Sequence, residues 1–192
     1  MPVPSERQRM LQGLLYNAES DAELVSERAH AAELCFELNH TRPSEAQARQ
    51  KILLQLLGRH GRQLEILSDF HCDYGYNIEV GENFYMNYGG VILDCATVSF
   101  GDNVLVGPNC GFYTAAHPLD ARRRGAGLEL ALPISVGDDV WLGGGVSVLP
   151  GVSIGSGTVV GAGSVVTHDL PAGVIAVGNP CRVLRRIDEE EL

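Results

Sequence analysis

The sequence is short of basic charge, aromatic rings, paired cysteines and long apolar runs. Fourteen Lys and Arg stand against 24 Asp and Glu, for a net charge of −10. A surface of that sign is a poor match for nucleic acid, whose phosphates need a basic footprint. It still permits a small anionic ligand at a local arginine cluster. One Trp, five Phe and six Tyr in 192 residues leave the core to aliphatic side chains. The five cysteines, Cys35, Cys72, Cys95, Cys110 and Cys181, are odd in number and show no Cys-x-x-Cys spacing. They suggest neither a disulfide framework nor a zinc knuckle. No apolar run approaches membrane-spanning length, and no basic-then-apolar leader pattern opens the chain. The expectation is a reduced, cytoplasmic protein with no membrane or nucleic-acid partner.

Glycine is abundant, at 23 residues, and its distribution is uneven. The first third of the chain reads as helical. Ser5 to Tyr16 is an amphipathic stretch with Met10, Leu11, Leu14 and Leu15 on one side. Leu24, Arg28, Ala31, Cys35 and Leu38 follow at steps of three and four. Thr41-Arg42-Pro43-Ser44-Glu45 reads as a helix start, and Ile52, Leu53, Leu56 and Leu57 share the face that follows. Gly58 and Gly61 are expected to stop that helix. These features predict a helical N-terminal subdomain, residues 1–60, and a second domain, residues 61–192.

In the second domain the helical period disappears and a period of six replaces it. Val136, Leu142, Val148, Ile154, Val160 and Val166 are six apart. Ile134, Val140, Val146, Val152, Thr158 and Ser164 each stand two residues earlier. The same register holds at Val98/Phe100, Val104/Val106 and Cys110/Phe112, and a looser one at Val80, Met86 and Ile92. Residues two apart share one side of a strand, so each hexad sends a pair inward. A unit this short must stack on its neighbours. The predicted fold is mainly β, a prism of short parallel strands. Glycines at 101, 107, 137, 143, 155 and 161 are expected to permit its corners. Residues 113–133 break the count and form an excursion, and a C-terminal tail follows the coil. Long loops inserted into compact repeats are often functional.

Several segments sharpen this pattern. They are Cys72-Asp73-Tyr74-Gly75-Tyr76-Asn77-Ile78, Asn83-Phe84-Tyr85-Met86-Asn87, Tyr113-Thr114-Ala115-Ala116-His117-Pro118, Val140-Trp141-Leu142-Gly143-Gly144 and Gly178-Asn179-Pro180-Cys181-Arg182-Val183. Together with Leu38-Asn39-His40 and Pro43-Ser44, they resemble the hexapeptide-repeat acyltransferases. The branch they resemble is that of the galactoside and maltose O-acetyltransferases. The resemblance implies a left-handed β-helix, a homotrimer, acetyl-CoA bound between subunits as co-substrate, and a catalytic histidine, with no metal required. It makes His117 the general base, a role suited to a side chain that titrates near neutrality. It points to Arg28, Asp73, Tyr85 and Asn87 for a sugar acceptor. For the cofactor it points to Trp141, Gly144, Ala162, Thr167, His168, Arg182 and Arg185. Only the backbone N–H of Gly144 could serve there as an oxyanion donor. Two positions depart from the family pattern. Cys95 follows Asp94 where galactoside enzymes carry an aspartate, and His168 replaces a usual lysine. The Cys72–Ile78 motif is closer to the maltose enzymes. The arginines at 182, 185 and 186 are opposed by acidic Asp188 to Glu191.

Two other readings stay open on the residues. A γ-type carbonic anhydrase on the same scaffold needs three histidines around zinc, and only His71, His117 and His168 offer themselves. A non-catalytic assembly or binding β-helix would need no such collection of His117, Trp141 and arginines.

Overall fold

The computed structural model describes residues 3–187; the acidic Asp188 to Glu191 lie outside the described residues. Two long helices come first in the fold's logic. The first spans Ala22–His40, capped by the Asp21 carboxylate, which accepts from the Glu23 and Leu24 N–H groups. The second spans Ala46–Leu56. Leu34, Cys35 and Leu38 of one and Leu53 and Leu56 of the other are buried. They share a continuous apolar cluster with Ile66, Phe70 and Ile78 of the coil. The helices therefore close the open end of the coil's interior, which would otherwise face water.

From Gly58 onward the chain winds as a left-handed parallel β-helix of about six turns. Its three faces are parallel ladders. The first holds Ile78–Val80, Val98–Phe100, Ile134–Val136 and Ser153–Ile154. The second runs from Leu64–Ile66 and Phe84–Met86 through Leu105–Val106, Trp141–Leu142 and Val159–Val160 to Val174–Val177. An antiparallel strand, Arg182–Arg186, ends that face. The third holds His71–Cys72, Val91–Leu93, Gly111–Tyr113, Ser147–Val148 and Val165–Val166. Every inward position read from the period of six is buried, from Val98 to Val166. Thr158 and Ser164 are buried too, with hydroxyls donating to the Pro171 and Gly161 carbonyls.

The glycines after the main aliphatic serve a different purpose from the one expected. Gly101 and Gly137 do not adopt left-handed backbone; that conformation falls two residues later, at Asn103 and Asp139. A Cβ on Gly101 would stand 2.8 Å from the backbone of the next turn. Gly is needed because stacked turns approach backbone to backbone. Gly58 and Gly61 belong to the same class. Neither caps the helix in left-handed conformation, and Gly58 already donates to the Ile78 carbonyl at 3.1 Å.

The N-terminal stretch also differs from expectation. Its helix covers only Glu6–Leu11, held by a capping box between Ser5 and Gln8. Gly13 then takes a left-handed turn at φ +66°. Met10 is buried, whereas Leu11 and Leu14 are exposed. Tyr16–Asn17 becomes a strand that pairs antiparallel with Leu128–Ala131 in the excursion.

The register makes a matched prediction. Val148 is fully buried, and Ser135 is exposed with its hydroxyl bonded to Ser153. Val148→Asn should cost about 3 kcal/mol or more, from lost packing and an unpaired buried amide. Ser135→Asn should change stability by less than about 0.5 kcal/mol. Urea denaturation of both variants checks this, and equal midpoints would contradict the register.

Candidate active site

Among the described residues, extra residues interrupt the coil's count three times, always at the corner between the third face and the first, and the same corner is two residues short in the last turn, where Ile154 pairs with Leu170. Ladder partners in the regular upper turns lie 18 residues apart, as Ser135 and Ser153 do. Partners in the lower turns lie 20 apart, as Asn83 and Asn103 do. Across the excursion they lie 36 apart, as Asn103 and Asp139 do. The extra residues follow Cys72, Leu93 and Tyr113 on three successive turns. They stack as three protruding loops along one edge.

Buried polar groups tie these loops together. Asp94 is fully buried. Its Oδ1 accepts from the Asp73 and Tyr74 N–H groups at 3.0 and 2.8 Å, and its Oδ2 from that of Asn77 at 3.3 Å. Burial pushes its pKa up to about 6, against the pull of those donors. Thr114, also fully buried, donates its hydroxyl to the Leu93 carbonyl at 2.6 Å and accepts from the Ala96 N–H at 3.0 Å. It roots the excursion on the loop below.

Above Thr114, Ala115–Ala116 pairs antiparallel with Leu128–Ala131. The Tyr16–Asn17 strand completes this three-stranded sheet from the far end of the sequence. A second apolar cluster lies beneath it, built from Met10, Tyr16, Leu24, Tyr74, Cys95 and Ala131. His117 follows directly on the Ala115–Ala116 strand and is exposed. A short helix, Ala121–Gly125, carries Arg122, Arg123 and Arg124 at the tip of the excursion.

The loops and the start of the Ala22–His40 helix enclose a cleft of about 270 Å³. His117, Arg28, Asp73, Tyr74, Cys95 and Glu129 line it. Arg28 donates to the Tyr74 hydroxyl at 2.8 Å and the Ala18 carbonyl at 3.0 Å, which fixes its guanidinium. The Cys95 thiol donates to Asp73 Oδ2 at 3.3 Å. Burial raises the Asp73 pKa, with the nearby Glu129 adding in the same direction. A neutral thiol at 95 thus avoids a third carboxylate beside Asp73 and Glu129, where an aspartate would repel both. Glu129 is held by the buried Tyr16, whose hydroxyl donates to its Oε2 at 2.9 Å.

The residues expected at a site fall into two groups. Arg28, Asp73 and His117 meet in the cleft. Tyr85 and Asn87 do not; they lie on and just after a second-face strand, below Leu105 and Trp141 in one column. Trp141 is 55% exposed there. Gly144 and Ala162 occupy successive turns of the second-to-third corner, where the Gly163 N–H donates to the Gly144 carbonyl. Arg182 and Arg185 lie on the strand that edges the second face. Thr167 and His168 are bonded to each other at 2.8 Å, on the cleft's own edge but nearer the far end of the coil. Glu129, Tyr16, Asp94 and Tyr74 complete the cleft without having been expected there. Among the described residues, no group of three His, Cys, Asp or Glu side chains is placed to hold a metal, and no helix is long and apolar enough to cross a membrane.

Comparison with known proteins places this geometry. Residues 9–61 match the maltose acetyltransferase hexapeptide capping motif, and residues 133–168 match the bacterial transferase hexapeptide with six repeats. A maltose O-acetyltransferase from Clostridium difficile 630 superimposes with a TM-score of 0.95 at 47% identity, over 98% of this chain and 100% of its own. A galactoside acetyltransferase in complex with coenzyme A gives 0.93 at 37% identity, over 98% and 93%. A hexapeptide-repeat acetyltransferase from Vibrio cholerae O1 biovar eltor, complexed with acetyl coenzyme A, gives 0.89 at 38%, over 97% and 100%.

Asp94 supplies a test of how the cleft is held. In Asp94→Asn one of the three N–H donors must face an amide N–H, so the variant should lose about 1–3 kcal/mol at pH 7. The folded chain binds the Asp94 proton more tightly than the unfolded one, because its pKa rises from 3.8 to about 6. Stability from this group therefore falls as pH rises from about 4 to 6 and is level above. The wild-type margin over the variant should be larger at pH 4 than at pH 7. Denaturant titrations at both pH values check it; a margin that grows with pH would contradict it.

Proposed function

The chain belongs to the hexapeptide-repeat acyltransferases, in their galactoside/maltose O-acetyltransferase branch, and on that premise we propose that it moves acetyl from acetyl-CoA to a sugar hydroxyl in the corner cleft. The observation that carries this reading is the meeting of His117, Asp73 and Arg28 in one cleft. A carboxylate and a fixed guanidinium offer acceptors and donors to vicinal hydroxyls. His117 would take the hydroxyl proton as that oxygen attacks the thioester carbonyl. As the tetrahedral intermediate collapses, the C–S bond breaks and the imidazolium returns the proton to the CoA sulfur. The developing oxyanion would meet the Gly144 N–H.

Gly144 and Ala162 lie on a different edge of one chain's prism from the base, with the third face between them, and Trp141, Arg182 and Arg185 lie on the second face. A homotrimer resolves this: the second face of one subunit against the cleft edge of the next supplies both halves, and three such contacts close a ring. Exposed Leu105 and Trp141 on the second face support that packing. Tyr85 and Asn87, on the same face, would then reach the neighbour's acceptor. Arg182 and Arg185 would pair with CoA phosphates, and Ala162, Thr167 and His168 would border the pantetheine and nucleotide.

Thiol release from acetyl-CoA with a panel of sugars tests the reaction. His117→Ala should lower turnover on the best acceptor by about 10²–10⁴-fold, with little change in the acetyl-CoA Michaelis constant. Near-normal turnover would remove His117 from the role of base.

A further inference from the structure

Cys35 and Cys72 are 37 residues apart and show no spacing that pairs them. The fold brings their sulfurs to 3.7 Å, with either able to donate to the other. Cys35 stands on the Ala22–His40 helix and is buried; Cys72 ends the first strand of the third face and is half-buried. Helix and strand are packed together, and both sulfurs lie in or against the main apolar cluster. Two of the three remaining cysteines differ in their thiol partners. Cys95 donates to Asp73 and Cys110 to the Gly143 carbonyl, so their thiols face oxygen.

We propose that Cys35 and Cys72 form a reversible modification site, a dithiol that hydrogen peroxide oxidises to a disulfide joining the helical cap to the coil. Cys72 is the entry point because it is the more exposed of the two. Its sulfur attacks one peroxide oxygen, the O–O bond breaks, and the departing hydroxide leaves as water with the thiol proton. The product is a sulfenic acid on Cys72. The Cys35 sulfur then attacks the Cys72 sulfur. The S–S bond forms, the S–O bond breaks, and the hydroxyl leaves as a second water with the Cys35 proton. Two thiols are oxidised by two electrons and one peroxide is reduced to two waters. The sulfurs must close from 3.7 Å to about 2.05 Å, a movement within reach of side-chain rotation and small helix adjustment. The bond would close a loop of 37 residues and restrict the unfolded chain. It would also fix the helix that carries Arg28 against the strand that leads into Asp73.

The test uses the full chain, treated with hydrogen peroxide near stoichiometry and digested without reductant. The expected result is the loss of two thiols, a mass decrease of about 2 Da, and a linked peptide pair containing Cys35 and Cys72 that dithiothreitol separates. The oxidised protein should melt about 5–10 °C higher than the reduced one. In Cys35→Ser the sulfenic acid on Cys72 should persist and be trapped by a carbon nucleophile such as dimedone. Linkage through another cysteine, or Cys72 sulfinic acid without a cross-link in the wild-type chain, would overturn the proposal. So would thiols at 35 and 72 that survive while others oxidise. None of these readouts depends on acetyl transfer, so the site and the enzymatic reading stand or fall separately.

Discussion

A strand of two or three residues satisfies almost none of its own needs. Its backbone N–H and C=O groups find partners only on the turns above and below, and its aliphatic side chains are dry only when those turns cover them. The whole molecule rests on that contact. It demands a pair of inward side chains at every hexad, and a residue without Cβ where backbones touch, as at Gly58 and Gly101. It also demands left-handed corner residues such as Asn103 and Asp139, whose side chains bond one another along the edge. Any stack must end, and here the two helices cover the open end with Leu38, Leu53 and Leu56.

The same demand explains where chemistry can occur. A regular corner has no spare residues with which to build a cavity. Extra residues are tolerated only where they leave the ladders unbroken, and three such insertions are aligned on one edge. Each needs its own support, because its backbone has left the ladder. Asp94 and Thr114 provide it by spending buried polar groups on neighbouring loops, and the Tyr16 strand braces the longest loop from outside. The cleft therefore falls where the coil is irregular: Asp73, Cys95 and His117 all stand on residues the repeat does not require.

Legibility in the sequence followed locality. The register from Val98 to Val166 was readable because burial repeats at fixed spacing, and the resemblance pointed to Arg28, Asp73 and His117, which the fold brings to one cleft. The first turns were blurred because two extra residues at each inserted corner shift the period. The purpose of the coil glycines was misread, since a close approach between turns leaves no local signal distinct from a turn. The strand at Tyr16, its bond to Glu129 and the meeting of Cys35 with Cys72 were invisible for a common reason. Each joins residues far apart in sequence, and no local pattern encodes such pairing. Tyr85 and Asn87 were assigned to the same acceptor as Asp73, yet one chain leaves them on another face, and only the proposed trimer would bring them to it.

That division makes the shared site the central claim. Its most direct measurement is subunit complementation. One chain carries His117→Ala; the other carries Arg182→Ala with Arg185→Ala, which should weaken acetyl-CoA binding. Each homo-oligomer alone should be nearly inactive at acetyl-CoA far below its wild-type Michaelis constant. Co-expressed chains in equal amounts should form mixed trimers in which about one quarter of the interfaces unite an intact base edge with an intact cofactor edge. Activity recovered to about that fraction of wild type is the predicted result. If the site were complete within one chain, every chain would still carry a defect, and mixed assemblies no more active than their parents would contradict the account.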